Sequence, residues 1–157
     1  MYSSRGGGAL KFFTTIFTFV GMNQTVELQI IDFLRARISE LRGLWLFGSR
    51  ADGTDKTDSD YDIAFLTEKP GYVSDMQRFE WGCELAELLG NDVDLIDLNA
   101  VQTDVRFIII STGRRIFSGD DYLCDTFEMT SFSMYQYLEE SRRDIIHEIK
   151  KRGSVYG

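Results

Sequence analysis

Residues 48–62 read GSRADGTDKTDSDYD, and this stretch decides the fold of the chain. A short apolar run, Leu44–Phe47, comes directly before it, and a second apolar run begins at its end. The residues between the two runs are mainly aspartate, glycine, serine and threonine, which favour turns because they bond to the local backbone or tolerate unusual dihedral angles. The pattern predicts two β-strands, 44–47 and 60–67, joined by a turn at 48–49 and a polar loop.

Two aspartates, Asp60 and Asp62, open the second predicted strand. Residues two apart in a strand point to the same face, with Cα atoms about 6.5 Å apart, whereas Tyr61 and Ile63 point to the other face. Adjacent carboxylates repel unless a cation lies between them, and Mg²⁺ binds one or two carboxylates together with waters and phosphate oxygens. The spacing predicts a magnesium site for phosphate chemistry, in which two ions about 3.5–4 Å apart stabilise the attacking and leaving oxygens.

Three further residues fit the same chemistry. Gly48 lets the backbone approach a phosphate closely, and Ser49 offers a hydroxyl and an amide N–H to hold it. Asp94 lies centrally in an apolar strand candidate, where an unpaired buried carboxylate is costly. We therefore predict Asp94 as a further metal ligand, with Asp92 and Asp97, nearer the strand ends, as weaker alternatives.

The rest of the chain alternates between helical and extended patterns. Apolar residues recur at helical spacing in four segments, at 25–43, 76–89, 100–112 and 120–152. Short apolar runs predict two more strands, at 92–98 and 115–117. Asn99 is the predicted cap of the third helix, and the predicted buried face of the second comprises Met76, Phe79, Cys83, Ala86 and Leu89. These elements predict an α/β fold: a small mixed sheet that carries the site, flanked by helices, with a long C-terminal helix added.

The composition narrows the class of protein. The chain has 157 residues, 43% hydrophobic and 27% charged, with one proline, which indicates a globular domain with its own core. Its 17 basic and 25 acidic side chains leave a net charge of −8, so it repels a phosphate backbone and nucleic acid is disfavoured as a partner. One histidine excludes sites that need two, and two cysteines without a disulfide framework favour the cytoplasm.

Residues 1–21 differ from the rest of the chain, with a glycine triplet and then an apolar run at 12–20. A signal-peptide core is one interpretation, but no small-residue cleavage site comes after the run. The run is also shorter than the ~20 apolar residues that span a bilayer, so we expect no membrane anchor. We predict that 1–21 is a disordered extension or a mis-set translation start, and that 22–157 is a single domain with its core at 44–117.

The glycine-serine pair, the ten-residue gap, the Asp-x-Asp and the later strand aspartate together resemble the DNA polymerase β nucleotidyltransferase superfamily. The small size is similar to that of its minimal nucleotidyltransferase branch. The resemblance covers about Leu44 to Phe117 and implies Mg-ATP as the substrate. It implies that Asp60 and Asp62 bind two Mg²⁺ ions and that Asp94 helps to bind the catalytic one.

The resemblance also implies how the nucleotide is held. Gly48 and Ser49 would hold the triphosphate of ATP. Arg50 and Ser59 stand where the family often has the same residue types, so they are predicted to contribute to nucleotide binding.

Stand-alone members of this branch in prokaryotes are commonly antitoxins paired with an all-helical HEPN ribonuclease toxin. The resemblance therefore implies transfer of AMP from Mg-ATP to a tyrosine hydroxyl of that toxin within a hetero-oligomer. Two alternatives stay open: an aminoglycoside-type adenylyltransferase, and an antitoxin that acts by binding alone. The length leaves no room for an acceptor domain, so a partner protein is the expected acceptor, and the amphipathic helix 120–152 is its predicted docking face.

Overall fold

The computed structural model describes residues 24–52 and 59–153, and the predictions for 1–21 and for the middle of the polar loop lie outside them. The chain divides into two compact units between Ser39 and Glu40. The first contains helix α1, 24–37, with one buried face formed by Ile30, Leu34 and Ile38. The prediction that this helix continues to residue 43 is wrong, because a turn at 39–40 ends it and the next apolar residues begin a strand.

The second unit contains a four-stranded mixed sheet in the order β3-β2-β1-β4. Strand β1 pairs antiparallel with both β2 and β4, whereas β2 and β3 are parallel. The sequence predicts all four strands, but β1 starts three residues earlier than expected. Their bounds are Leu41–Phe47 for β1, Tyr61–Thr67 for β2, Val93–Asp97 for β3 and Arg114–Ser118 for β4.

Helices frame this sheet, and the predicted α/β fold with a long C-terminal helix is confirmed. The helices of this unit are α2 at Ser49–Asp52, α3 at Asp75–Leu89, α4 at Thr103–Thr112 and α5 at Asp121–Arg152. Ser74 begins α3 with a capping box to Gln77, and Gly90 ends it with a φ of 71°. Asp120 caps α5 by accepting the N–H of Leu123 at 2.9 Å. In the part of the chain that the structure describes, no helix has the length and apolar character to cross a bilayer.

Two local predictions are wrong because tertiary contacts override them. Asn99 does not cap α4; its amide donates to the carbonyl and the hydroxyl oxygens of Thr67, each at 3.0 Å. Residues 98–100 instead form a turn, and α4 starts only at residue 103.

The buried face of α3 also differs from the predicted one. Met76 and Phe79 are 66% and 69% exposed, and Cys83 is exposed as well. The buried residues of the helix are Gly82 and Leu85. Because Gly82 has no side chain, this face of α3 lies close to β3. Met76, Phe79 and Cys83 are consequently left outside the core.

The core of this unit is built around Trp45 of β1, which is 1% exposed. Its indole Nε1–H donates to a carboxylate oxygen of Glu128 in α5 at 3.0 Å, so the ring is buried with its polar atom satisfied. Farther along α5, Tyr135 stacks on Phe107 of α4 with ring centroids 3.9 Å apart. These contacts fix the first half of α5 to the sheet and to α4.

The last part of α5 extends beyond the ion pair that Arg142 forms with Asp104 of α4 at 3.7 Å. Residues 142–152 are all exposed, including Ile145 and Ile146 at 59% and 53%. Between α5 and the start of α4 lies a groove of about 640 Å³, whose lining includes Met129, Met134 and Tyr137. The buried residues of α5 are Cys124 and Ser131, whereas Met134 and Ile145 of the predicted apolar stripe are exposed.

Gly43 tests how tightly this core is packed. A Cβ at Gly43 would lie 2.6 Å from the Trp45 ring and 2.9 Å from the sulfur of Cys124. We expect Gly43→Ala to lower the free energy of unfolding by about 1–3 kcal/mol, measured by urea denaturation. The matched control is Gly82→Ala, whose Cβ would meet only an ordinary contact at 3.6 Å. This helical change should raise stability by up to about 1 kcal/mol, and equal effects of the two variants would contradict the packing argument.

Candidate functional site

The topology brings the predicted metal ligands to one end of the sheet. Strand β1 ends where β2 begins, and Phe47 of β1 is the cross-strand partner of Asp62 in β2. On its other side β2 pairs with β3, and Asp62 lies directly opposite Asp94 in that parallel register. Asp60 is exposed, one residue before β2. The two strands therefore place Asp62 and Asp94 side by side, next to Asp60.

The charges of these carboxylates act on one another. Burial raises the pKa of Asp62 above its ordinary value, and the negative charges of Asp94 and Asp60 raise it further. Tyr61 and Ile63, the neighbours of Asp62 on β2, are buried in the core, so Asp62 cannot turn away from Asp60 and Asp94 without disturbing the strand. We refer to Asp60, Asp62 and Asp94 as the carboxylate cluster. A cation bound here would remove the repulsion.

Gly48 lies against this cluster. Its φ is +71°, and a Cβ at this position would clash with the carboxylate of Asp62. Glycine is therefore required both by the backbone conformation and by the close approach. The carbonyl oxygen of Gly48 accepts the N–H of Ala51 at 3.0 Å, which starts the short helix α2 with Ser49 as its first residue. The predicted phosphate-binding turn is thus in contact with a predicted metal ligand.

Arg50 connects the two ends of the polar loop. Its Nε and one Nη donate to the carbonyl oxygen of Ser59 at 2.8 and 2.5 Å. Its guanidinium carbon lies 3.8 Å from the centre of the Tyr61 ring, which is 8% exposed. Arg50 therefore holds the residues on either side of Asp60. The sequence offers no signal for this contact beyond the arginine itself.

The structure separates Asp94 from its two alternatives. Asp94 is exposed, so the argument from the cost of burial does not apply to it. The buried carboxylate of β3 is Asp97, 5% exposed, which accepts the N–H of Asn99 at 2.9 Å. Asp92 is exposed, and its backbone carbonyl accepts the N–H of Tyr61 at 2.8 Å. Of these three aspartates, only Asp94 pairs with Asp62.

The carboxylates of the cluster suit a hard cation, such as Mg²⁺, that also binds water and phosphate oxygens. Among the described residues, no three side chains of the metal-binding types are grouped closely enough to enclose an ion. Mg²⁺ does not require such a cage, since it is usually held by one or two carboxylates plus waters and substrate phosphates. Asp62 and Asp94, adjacent in register, supply those carboxylates. The remaining coordination positions would be left to water and to a nucleotide.

Comparison with known proteins identifies the family. The family model for polymerase β nucleotidyltransferases matches residues 28–122. The chain belongs to the polymerase β nucleotidyltransferase family. The resemblance inferred from the spacing of Gly48, Ser49 and the carboxylate cluster is confirmed.

The chain is similar to an adenylyltransferase and to chains of toxin–antitoxin structures. The protein adenylyltransferase MntA of Shewanella oneidensis is 34% identical over 128 residues, which cover 82% of this chain and 90% of MntA. A chain of a toxin–antitoxin crystal structure with AMP-PNP is 34% identical, with a TM-score of 0.70, over 79% of this chain and 98% of its own length. A second similar chain comes from a structure of tri-AMPylated S. oneidensis HEPN toxin in complex with MNT antitoxin. It is 31% identical, with a TM-score of 0.67, over 81% of this chain and 98% of its own length.

We expect Arg50→Lys to weaken nucleotide binding, because lysine cannot reproduce the forked contact with Ser59 or the stacking on Tyr61. The affinity for Mg-AMP-PNP, measured by isothermal titration calorimetry, should fall roughly 10-fold. Arg37→Lys is the matched control, since Arg37 also stacks on a ring, that of Phe33, in α1. Its affinity should equal that of the wild type. Equal affinities in all three proteins would contradict a role for Arg50.

Asp97 gives a prediction for stability against pH. Burial raises its pKa, opposed by the hydrogen bond from Asn99 and by the nearby arginines Arg78 and Arg106. Between the ordinary aspartate pKa and this raised value, the folded state binds more protons than the unfolded state, so stability falls as pH rises. Asp97→Asn keeps an acceptor oxygen and should be at least as stable as the wild type at pH 7. Its advantage should shrink toward pH 4, and urea unfolding that shows an increase would contradict this assignment.

Proposed function

We propose that this chain is an antitoxin adenylyltransferase that transfers AMP from Mg-ATP to a tyrosine hydroxyl of a HEPN-family toxin. The observation that carries the proposal is the contact between Gly48 and Asp62 beside Asp94, which places a phosphate-binding turn next to paired carboxylates. The similarity to MntA, an adenylyltransferase by name, and to the antitoxin chain in complex with a tri-AMPylated toxin supports this choice of acceptor. The absence of a disulfide between the two cysteines is consistent with action in the cytoplasm.

Each site residue takes a role that follows from its position. We assign Asp60, Asp62 and Asp94 to binding Mg²⁺, with two ions in the complete site. A bound Mg²⁺ would neutralise phosphate charge and act as a Lewis acid. Gly48 and Ser49 would hold the triphosphate through backbone N–H groups and the serine hydroxyl. Arg50 and Ser59, predicted to assist nucleotide binding, already contact each other at the edge of this site.

The reaction is a displacement at the α-phosphate. The acceptor oxygen forms a bond to phosphorus as the bond to pyrophosphate breaks, and the tyrosine proton is released. Asp62 is held in β2, while Asp60 and Asp94 beside it are exposed, so the carboxylate cluster is accessible from solvent. An open site of this kind suits an acceptor presented by another protein.

Two alternatives are less well supported. An antitoxin acting by binding alone has no need for Gly48 against Asp62 or for charges that repel one another, yet the chain retains both. If the chain were an aminoglycoside-type adenylyltransferase, its acidic surface would suit the cationic acceptor. Such enzymes, however, usually have a second domain to hold the acceptor. The relatives named above are antitoxins, which also favours a protein acceptor.

Asp62→Asn tests the assignment of the metal ligands. Transfer of AMP to the toxin should fall by about 1,000-fold or more, since metal catalysis contributes several kcal/mol to the barrier. The change removes one repelling charge, so the melting temperature should not fall below that of the wild type. Intact-mass spectrometry of the toxin after incubation with Mg-ATP measures the added AMP.

Asp92→Asn is the matched control, because Asp92 contributes a backbone carbonyl that the change leaves in place. This variant should modify the toxin at a rate close to that of the wild type. Retention of full activity in Asp62→Asn would contradict the metal assignment. An unmodified toxin with the wild-type enzyme, together with AMP on an aminoglycoside, would instead favour the small-molecule alternative.

A further inference from the structure

Helix α3 presents an apolar surface that the sheet does not cover. Met76 and Phe79 are 66% and 69% exposed, and Cys83 is exposed one turn farther along. Positions three and four apart share a helix face, so these three residues form one stripe, opposite the buried Leu85. Large apolar side chains grouped on a surface commonly mark an interaction site, and methionine adapts to varied partners.

The same face is acidic. Glu80, Glu84 and Glu87 are exposed and lie along one side of the apolar stripe on the helical projection. The single basic residue of α3, Arg78, forms an ion pair with Asp75 at 2.9 Å. We call the surface formed by Met76, Phe79, Glu80, Cys83, Glu84 and Glu87 the α3 face. Its charge and apolar character together suit a partner surface that carries lysine or arginine around exposed apolar side chains.

The α3 face is continuous with the carboxylate cluster. A cavity of about 240 Å³ between α3 and β3 is lined by Phe79 and Cys83 and also by Asp94. A second cavity, of about 430 Å³ at the end of α3, is lined by both Glu87 and Asp60. A protein seated on this helix could therefore reach two of the three catalytic carboxylates without crossing other elements.

The groove on α5 lacks this connection. Its volume is larger, about 640 Å³, but its lining belongs to α4 and α5 and contains no member of the carboxylate cluster. A groove of that kind can hold a partner, yet it does not by itself direct an acceptor hydroxyl to the site. The α3 face meets both requirements.

We propose that the α3 face is the docking surface for the protein acceptor, and that it directs the acceptor tyrosine to the Asp94 side of the site. The inference rests on the proposed function and adds the location and chemistry of the contact. We expect the toxin surface that contacts the α3 face to be basic and apolar. Salt should weaken this docking, because part of it is an attraction between exposed charges.

The test compares two double variants of the full chain. Phe79→Ala with Glu80→Lys alters the α3 face, whereas Ile145→Ala with Glu148→Lys makes the matched change on the exposed end of α5. Initial rates of toxin AMPylation are measured at saturating Mg-ATP over a range of toxin concentrations. The α3 variant should raise the KM for toxin about tenfold or more and leave kcat within about twofold.

Three controls keep the outcomes distinct. Circular dichroism and the melting temperature check folding, and titration with Mg-AMP-PNP should give wild-type affinity in the α3 variant. An α3 variant with the KM of the wild type would overturn the inference, as would a rise in KM confined to the α5 variant. Failure of the wild-type protein to modify the toxin at all would instead contradict the proposed function, whatever the variants do.

Discussion

The site depends on keeping three like charges close together. Asp62 is paired in register with Asp94, and Asp60 is near enough to add to the rise in the pKa of Asp62 that burial causes. This arrangement destabilises the folded chain unless a cation is present. It persists because β2 lies inside the core, where Ile63, Ala64 and Phe65 are fully buried. A cation bound here would therefore stabilise the fold, because it would relieve this repulsion in the folded chain.

Much of the sheet could be predicted because residues 48–62 allow few arrangements. Two apolar runs with a polar turn between them pair readily, and the apolar run of β2 is buried from Ile63 to Leu66, as its composition indicates. The secondary-structure predictions are wrong where the local sequence pattern is compatible with two different structures. Leu41 continues the helical spacing of α1 but starts β1, and Asn99 resembles a cap but bonds to Thr67. In both cases a contact with a sequence-distant residue decides, and a single sequence does not display such contacts.

The candidate site was likewise predicted only in part. Gly48, Asp62 and Asp94 lie together as the spacing indicates, but the burial argument for Asp94 does not hold, since its side chain is exposed. The contact of Arg50 with Ser59 depends on how the loop closes, which its composition does not reveal. The exposed stripe on α3 is mistaken for core on sequence grounds alone. Periodicity identifies an apolar face but not whether it is covered by the same chain.

Helix α5 extends over 32 residues, and contacts with the sheet and with α4 hold it at Glu128, Tyr135 and Arg142. When tertiary contacts support only one end of a helix, protection of its amide protons from exchange falls toward the other end. The turns at that end are stabilised by their own hydrogen bonds alone. Amide protons should therefore exchange along a gradient, slowly near Glu128 and fast near Ile149. The free protein thus has a graded local stability. A partner that covers the far turns would convert this gradient into uniform protection, and would lengthen the survival of the chain against proteases.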